Sequence, residues 1–159
     1  MTDEIQLQLV KFIMRQPNLK TINLTWYGGE PLLAFKRIKS LYQAISSIDH
    51  INIGGHSMLT NGYLITPEVI DFMQFAQLRS LQITMDGTRD NHNQTRFLKS
   101  DKQPTYYRIM NNINMAVKNL PDCNISIRVN INKQNRVDYI SIFKEIKQTW
   151  KDVNISVYP

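Results

Sequence analysis

Thr21-Ile22-Asn23-Leu24-Thr25-Trp26-Tyr27-Gly28-Gly29-Glu30-Pro31-Leu32-Leu33 is the stretch on which the reading of this chain turns. Its first half has the composition of a buried strand, and two glycines and a carboxylate follow at the C-terminal end. Glycine has no Cβ, so a ligand can approach the backbone closely there, and Glu30 sets one negative charge beside that approach. A seat for a cationic group is the expectation. Pro31 fixes φ and begins the exit from the strand. By itself the Gly-Gly-Glu tripeptide also reads as a tight strand-to-loop turn. Its weight comes from the rest of the chain, which repeats the arrangement.

Working outward, the apolar spacing alternates between helix and strand. A helix is expected over 3–16, with Ile5, Leu9, Phe12 and Ile13 on one face, stopping before Pro17. After the strand at 22–26 comes a helix over 35–46, striped by Ile38, Leu41, Tyr42 and Ile45, and a strand over 55–59. Thr66-Pro67-Glu68 is a strong helix start, with a capping hydroxyl, a proline at the first position and an acid for the dipole. That helix carries Val69, Ile70, Met73 and Phe75 to about Leu78. A strand over 81–85, a polar loop over 88–104, a helix over 105–119 and a strand over 125–130 follow. A helix over 137–150, with Val137, Ile140, Phe143 and Ile146 inward, and a strand over 153–158 close the chain. Five strands separated by single amphipathic helices imply an α/β fold with one parallel sheet in sequential order and right-handed crossovers.

In such folds ligands bind where strands end. The strand ends here carry Gly28-Gly29-Glu30, then Thr60-Asn61-Gly62, then Thr84 and Asp86-Gly87 with His92 and Arg96 beyond, then Arg128, Asn130 and Asn132. Parallel neighbours would aim all of them into one mouth. Each also has a plainer reading: Asn-Gly and Asp-Gly are common turn pairs, Thr84 is a β-former, and a histidine or arginine in a polar loop is commonly a solvated group. Arg128 sits between Ile127 and Val129 and must point to the opposite face from them.

Composition narrows the partners. With 159 residues and 42% hydrophobic content the chain suits one domain. Its longest apolar runs are four or five residues, too short to cross a membrane, and Met1-Thr2-Asp3-Glu4 is unlike a signal peptide. The net charge of +6 comes from scattered Lys and Arg interleaved with acids, so a nucleic-acid partner is not expected. The single cysteine, Cys123, can form no internal disulfide, which suits a reducing, cytoplasmic compartment.

Trp-Tyr-Gly-Gly-Glu-Pro-Leu-Leu at 26–33, Leu-Thr-Asn-Gly at 59–62, Thr84-Met85-Asp86-Gly87 with His92 and Arg96, and Arg128-Val129-Asn130 stand in an order and spacing that resembles the radical S-adenosylmethionine (radical SAM) enzymes. The similarity covers essentially the full chain and is nearest to the branch with a C-terminal SPASM region, which includes anaerobic sulfatase-maturating enzymes and ribosomal-peptide maturases. The resemblance implies a partial TIM-like (βα) barrel over 1–159. It implies that Gly28, Gly29 and Glu30 receive the methionyl ammonium of S-adenosylmethionine, and that Thr84 hydrogen-bonds the ribose or carboxylate. Arg96 would pair with the methionyl carboxylate, Asn61 would shape the pocket, Arg128 and Asn130 would lie toward the adenosine, and Val157-Tyr158 would flank the adenine. A peptide or protein substrate is implied as partner.

Thr84 in place of the family's usual serine and Asn93 in place of a common aspartate are tolerable departures. A larger one is that the family holds a [4Fe-4S] cluster on three cysteines spaced C-x3-C-x2-C, and this chain has only Cys123. Three readings follow: the core of a peptide-modifying enzyme without its first strand, cluster loop and SPASM region, and inactive as it stands; a degenerate barrel that binds a nucleotide or peptide without redox chemistry; or an unrelated α/β domain whose strand ends are turns. In the first reading the cluster belongs to a longer parent, and the strand at 22–26 is left as an open sheet edge: the chain self-associates through it, covers it with the helix over 3–16, or is only marginally stable.

Overall fold

The structure, a computed structural model, describes residues 2–133, 135–151, 153 and 155–159. Helix α1 (Asp3–Met14) leads into β1 (Thr21–Trp26), a 3-10 turn (Pro31–Ala34) and α2 (Phe35–Ser46). Then come β2 (Asn52–Thr60), α3 (Pro67–Phe75), β3 (Ser80–Met85), the short α4 (Arg89–Thr95), α5 (Tyr106–Asn119), β4 (Asn124–Val129), α6 (Asp138–Thr149) and β5 (Ile155–Tyr158). The five strands form one parallel sheet in the order β1-β2-β3-β4-β5, with helical crossovers between neighbours and two helices, α4 and α5, between β3 and β4. The chain is therefore α/β, with helices packed on the sheet.

Alternation along the strands sorts the sheet into two faces. Met58, Leu81, Ile83, Met85, Ile125, Ile127, Val129 and Ile155 are buried in one core with α3, α5 and α6, through Val69, Ile70, Met73, Ile109, Ile113, Ala116, Ile142 and Ile146. Each of these Val, Leu, Ile and Met side chains contributes roughly 1.5–3 kcal/mol on burial. The residues between them, Gln82, Thr84, Ser126, Arg128, Ser156 and Tyr158, form the opposite, polar face. There the Tyr158 hydroxyl reaches across β4 to donate to Gln82 Oε1. A smaller core of Ile13, Leu41, Ile45, Ile48 and Ile51 joins α1 and α2 to Ile22 and Leu24 of β1. Between Ile22 and Asn23 the β1–β2 register slips by one residue at Gly54. A Cβ on Gly54 would lie 2.6 Å from Thr21 Cγ2, so the slip needs a glycine.

Thr66 caps α3 through the Val69 N–H (3.4 Å) with Pro67 next in line, as its sequence indicates. Several expectations are corrected. α1 buries only Ile13, and Ile5, Leu9 and Phe12 are exposed, because the helix meets α2 along the Val10–Ile13 edge. In α6 the inward residues are Ile142 and Ile146, whereas Val137, Ile140 and Phe143 face outward. Phe75 of α3 is exposed, and Phe72 takes the core position. The segment 88–104, expected to be a loop, holds α4 and an antiparallel bridge between Phe97 and Pro104. β2 begins at Asn52, three residues earlier than expected, and β5 begins at Ile155, with Asn154 outside the described residues. β1 pairs only with β2 among the described residues.

Candidate functional site at the strand C-termini

The first three strands end alike. Gly28, Gly62 and Gly87 each stand two residues past a strand with φ of +116°, +76° and +106°, and turn the chain away from the sheet. At Gly62 an added Cβ would lie 2.8 Å from Ile83 Cγ2. At Gly28 and Gly29 it would meet nothing within 4 Å, so the backbone beside Glu30 borders open space.

Glu30 leaves β1 in an extended conformation (φ −142°) and turns its carboxylate toward β2. Oε1 accepts from the Leu32 N–H (3.0 Å) and the Thr60 hydroxyl (2.7 Å), and Oε2 from the Asn61 N–H (2.8 Å). A carboxylate has about four acceptor positions. Three are filled by neutral donors, which fix the group without cancelling its charge and leave acceptor capacity on Oε2. Asn61 uses its Oδ1 to receive the Tyr63 N–H (2.9 Å), so its amide N–H groups remain to donate.

Arg96 ends α4 and reaches back to β3, where its Nε donates to Asp86 Oδ2 at 2.7 Å. Glu30, Asn61 and Arg96 line one pocket of about 450 Å³, closed further by Leu33, Leu64 and Phe97. Asn130 joins this group through Asp86, to whose Oδ1 its Nδ2 donates (3.0 Å). Thr84 and Arg128 lie elsewhere: they are register partners on the polar face, and neither makes a side-chain hydrogen bond among the described residues. Thus the structure brings Glu30, Asn61 and Arg96 together, ties Asn130 to them, and holds Thr84 and Arg128 on the adjoining sheet face.

His92 is fully buried in α4, not solvated. Its Nδ1 accepts from the Asp86 N–H (3.3 Å), and its Nε2 lies 3.0 Å from Thr105 Oγ1. Burial, and then the Arg96 charge, push its pKa down to about 4, and Asp86 only partly offsets them. Reading the sequence for turn pairs and loop charges missed two more residues. Asn135, buried after β4, donates to the carbonyls of Asp86 (3.1 Å) and Asn130 (2.7 Å). Asp138 accepts from the Thr88 hydroxyl (2.9 Å) and from the Asn91 amide. Together they lock the loop after β3 to the loop after β4.

The superfamily described as Radical SAM matches residues 3–146. The chain belongs to that superfamily. A curated relative, the radical SAM cyclopropyl synthase TigE of Paramaledivibacter caminithermalis, is 26% identical over 106 residues, which is 60% of this chain and 22% of that protein. Among solved structures, native anSMEcpe with bound AdoMet aligns over 99% of this chain and 43% of its own, at 24% identity and a TM-score of 0.74. The same protein with AdoMet and a Kp18Cys peptide aligns equally well. The radical SAM chain described here thus spans less than half of these relatives, and its sheet is part of a radical SAM barrel whose inner face is the polar one. No helix among the described residues is long and apolar enough to cross a membrane.

Thiolates hold the iron–sulfur clusters of such proteins. Cys123 precedes β4, at the end of the sheet opposite Glu30, and burial pushes its thiol up to about 11. Among the described residues no three His, Cys, Asp or Glu side chains converge as a metal site. The donor set of this chain does not fit a cluster.

Proposed function

We propose that this chain is the S-adenosylmethionine-binding core of a radical SAM enzyme of the SPASM-type branch, whose substrate is a peptide or protein side chain. The observation that carries the reading is the placement of Glu30 and Arg96 in one pocket. A fixed carboxylate and a guanidinium lining the same cavity match the ammonium and carboxylate of an amino acid. S-adenosylmethionine ends in that group, and the open backbone at Gly28 and Gly29 leaves room for it. Asn61 adds amide donors at the same wall. Thr84 supplies a hydroxyl on the inner face toward the ribose, and Arg128 and Asn130 supply donors toward the adenosine.

S-adenosylmethionine would supply the sulfonium bond that the family cleaves, and the electron for that cleavage would have to come from a reduced iron–sulfur cluster that this chain's own donor set does not hold. What this chain contributes is recognition: Glu30 holds the ammonium, Arg96 the carboxylate, and the inner face the nucleoside. The solved peptide complexes of anSMEcpe support a peptide as partner. Isothermal titration of S-adenosylmethionine into the chain tests the reading, with Glu30→Gln and Arg96→Ala as controls. Binding lost in both variants is the expected result; binding unchanged in both sinks it.

A second reading, a radical SAM barrel that binds without redox chemistry, is favoured by the cysteine count of one. The readings part on turnover when the chain is supplied with reduced cluster-bearing segments in trans. Release of 5′-deoxyadenosine supports the enzyme core, and binding without release supports the binding module.

A further inference from the structure

Asp86 has the densest set of hydrogen bonds at this rim. Oδ2 accepts from Arg96 Nε (2.7 Å) and from the Thr95 hydroxyl (3.2 Å), and Oδ1 accepts from Asn130 Nδ2 (3.0 Å). Its N–H donates to His92 Nδ1 (3.3 Å), and its carbonyl accepts from Asn135 Nδ2 (3.1 Å). Its side chain is 14% exposed, against 29% for Arg96. A carboxylate held by so many hydrogen bonds is the fixed reference point of the pair, and Arg96 is its more exposed partner.

A guanidinium can grip a carboxylate through two parallel N–H groups, either at the edge that includes Nε or at the edge formed by the two terminal nitrogens. Asp86 occupies Nε. What remains for a ligand is the terminal edge, and Arg96 lines the pocket together with Glu30 and Asn61. We propose that Asp86 is the positioning residue that fixes Arg96 by its Nε and presents the terminal edge of the guanidinium to the carboxylate of the bound amino-acid group. The inference rests on the role given to Arg96 above, and it adds what makes that role selective. An arginine without this anchor has several rotamers in which the terminal nitrogens face elsewhere, and ordering it on binding costs affinity.

The test compares S-adenosylmethionine with its decarboxylated analogue, which keeps the ammonium, the sulfonium and the adenosine and lacks only the carboxylate. Both are titrated calorimetrically into the full chain, and the ratio of their Kd values is the readout. A loss of folded protein lowers the apparent stoichiometry and leaves this ratio alone, so a merely structural role does not move it. The native chain is expected to prefer the carboxylate-bearing ligand by roughly tenfold or more, the value of one charged hydrogen-bonded pair. Asp86→Ala is expected to reduce the preference to less than about threefold, and Asp86→Asn, which keeps one acceptor oxygen but loses the charge, to reduce it to a value in between, with the analogue's own Kd unchanged.

Arg96→Ala separates the two ways of being wrong. If it abolishes the preference while both Asp86 variants keep it, Asp86 is scaffolding only and the proposal fails alone. If Arg96→Ala keeps the preference, or the native chain shows none, the role of Arg96 fails first and takes this one with it. Should Asp86→Ala not fold, Asp86→Asn decides. Failure of both to fold counts against a positioning role, because the residue is then needed for the fold itself.

Discussion

The hydrogen bond between His92 Nε2 and Thr105 Oγ1, 3.0 Å long, runs from the imidazole to the hydroxyl. Its direction follows from the neighbours. The Thr105 hydroxyl gives its own proton to the Arg96 carbonyl (2.8 Å), and so it can only accept from the ring. The other ring nitrogen accepts from the Asp86 N–H. His92 is therefore neutral, protonated at Nε2, and cannot take a second proton without setting two N–H groups against each other.

Acid should loosen the rim for this reason. A histidine whose folded pKa lies below its unfolded value contributes its full stability above the unfolded value, and loses it as pH falls toward the folded one. For His92 that window runs from 6.5 down to about 4. At 1.36 kcal/mol per pH unit it corresponds to about 3 kcal/mol. His56, also lowered by burial, acts in the same direction. Urea unfolding at pH 7 and pH 4.5 should show a clear loss in the native chain and a smaller one in His92→Asn. Equal losses in the two would refute the assignment.

Glu30 should matter to the fold as well as to any ligand. Glu30→Ala leaves the Leu32 and Asn61 N–H groups and the Thr60 hydroxyl without their acceptor. A cost of about 1–3 kcal/mol is expected, since the pocket side is partly open to water. Glu30→Gln keeps one acceptor oxygen and should fall in between. Unchanged midpoints for both variants in urea would show that water replaces the carboxylate freely.

Gly29→Ala and Gly62→Ala should part company. Gly62 has φ +76° and a site for Cβ 2.8 Å from Ile83 Cγ2, so alanine there should cost more than about 1 kcal/mol. Gly29 has open space and no unusual φ, so its variant should unfold like the native chain. In the proposed function it should nevertheless bind S-adenosylmethionine more weakly, because the methyl group enters the ligand's side. Thermal unfolding and calorimetry on the pair distinguish a packing glycine from an access glycine.

The alternation of strands and helices was legible because coverage alternates along the strands, with every second residue fully buried in β3 and β4, and each crossover carries a helix striped at helical spacing. α4 was not legible. Arg89-Asp90-Asn91-His92-Asn93-Gln94-Thr95 has no apolar stripe, and the helix is held by polar contacts to Asp138, Asp86 and Thr105. The faces of α1 and α6 were misread because both carry more apolar residues than the sheet covers. Glu30 and Arg96 stood out as charges at strand ends. Asp86 was hidden inside an ordinary Asp-Gly turn, although strand alternation already placed it on the face of Gln82 and Thr84. Asn135 and Asp138 gave no local sign of their role at the rim, since the partners that tie them to the loop after β3 are distant in sequence, Asn135 to Asp86 being 49 apart and Asp138 to Thr88 being 50.

The edge of β1 leads to a prediction about association. Only β2 pairs with it among the described residues, and Thr21, Asn23 and Thr25 are exposed. Unpaired strand edges recruit other strands. Sedimentation velocity across a wide concentration range should show reversible self-association, weakened by Asn23→Lys. A single monomeric boundary throughout would mean that the edge is protected.

Glu30 spans the gap between the first two strands, taking hydrogen bonds from Thr60 and Asn61 across it. The carboxylate assigned to a ligand's ammonium in the proposed function is thus also a stitch between the outermost strand and the rest of the sheet. Occupancy and cohesion become one property. A cation settling on Glu30 should therefore damp the fraying of the whole edge, and slowed amide exchange along 21–26 is the expected sign of an event that occurs beyond the end of the strand.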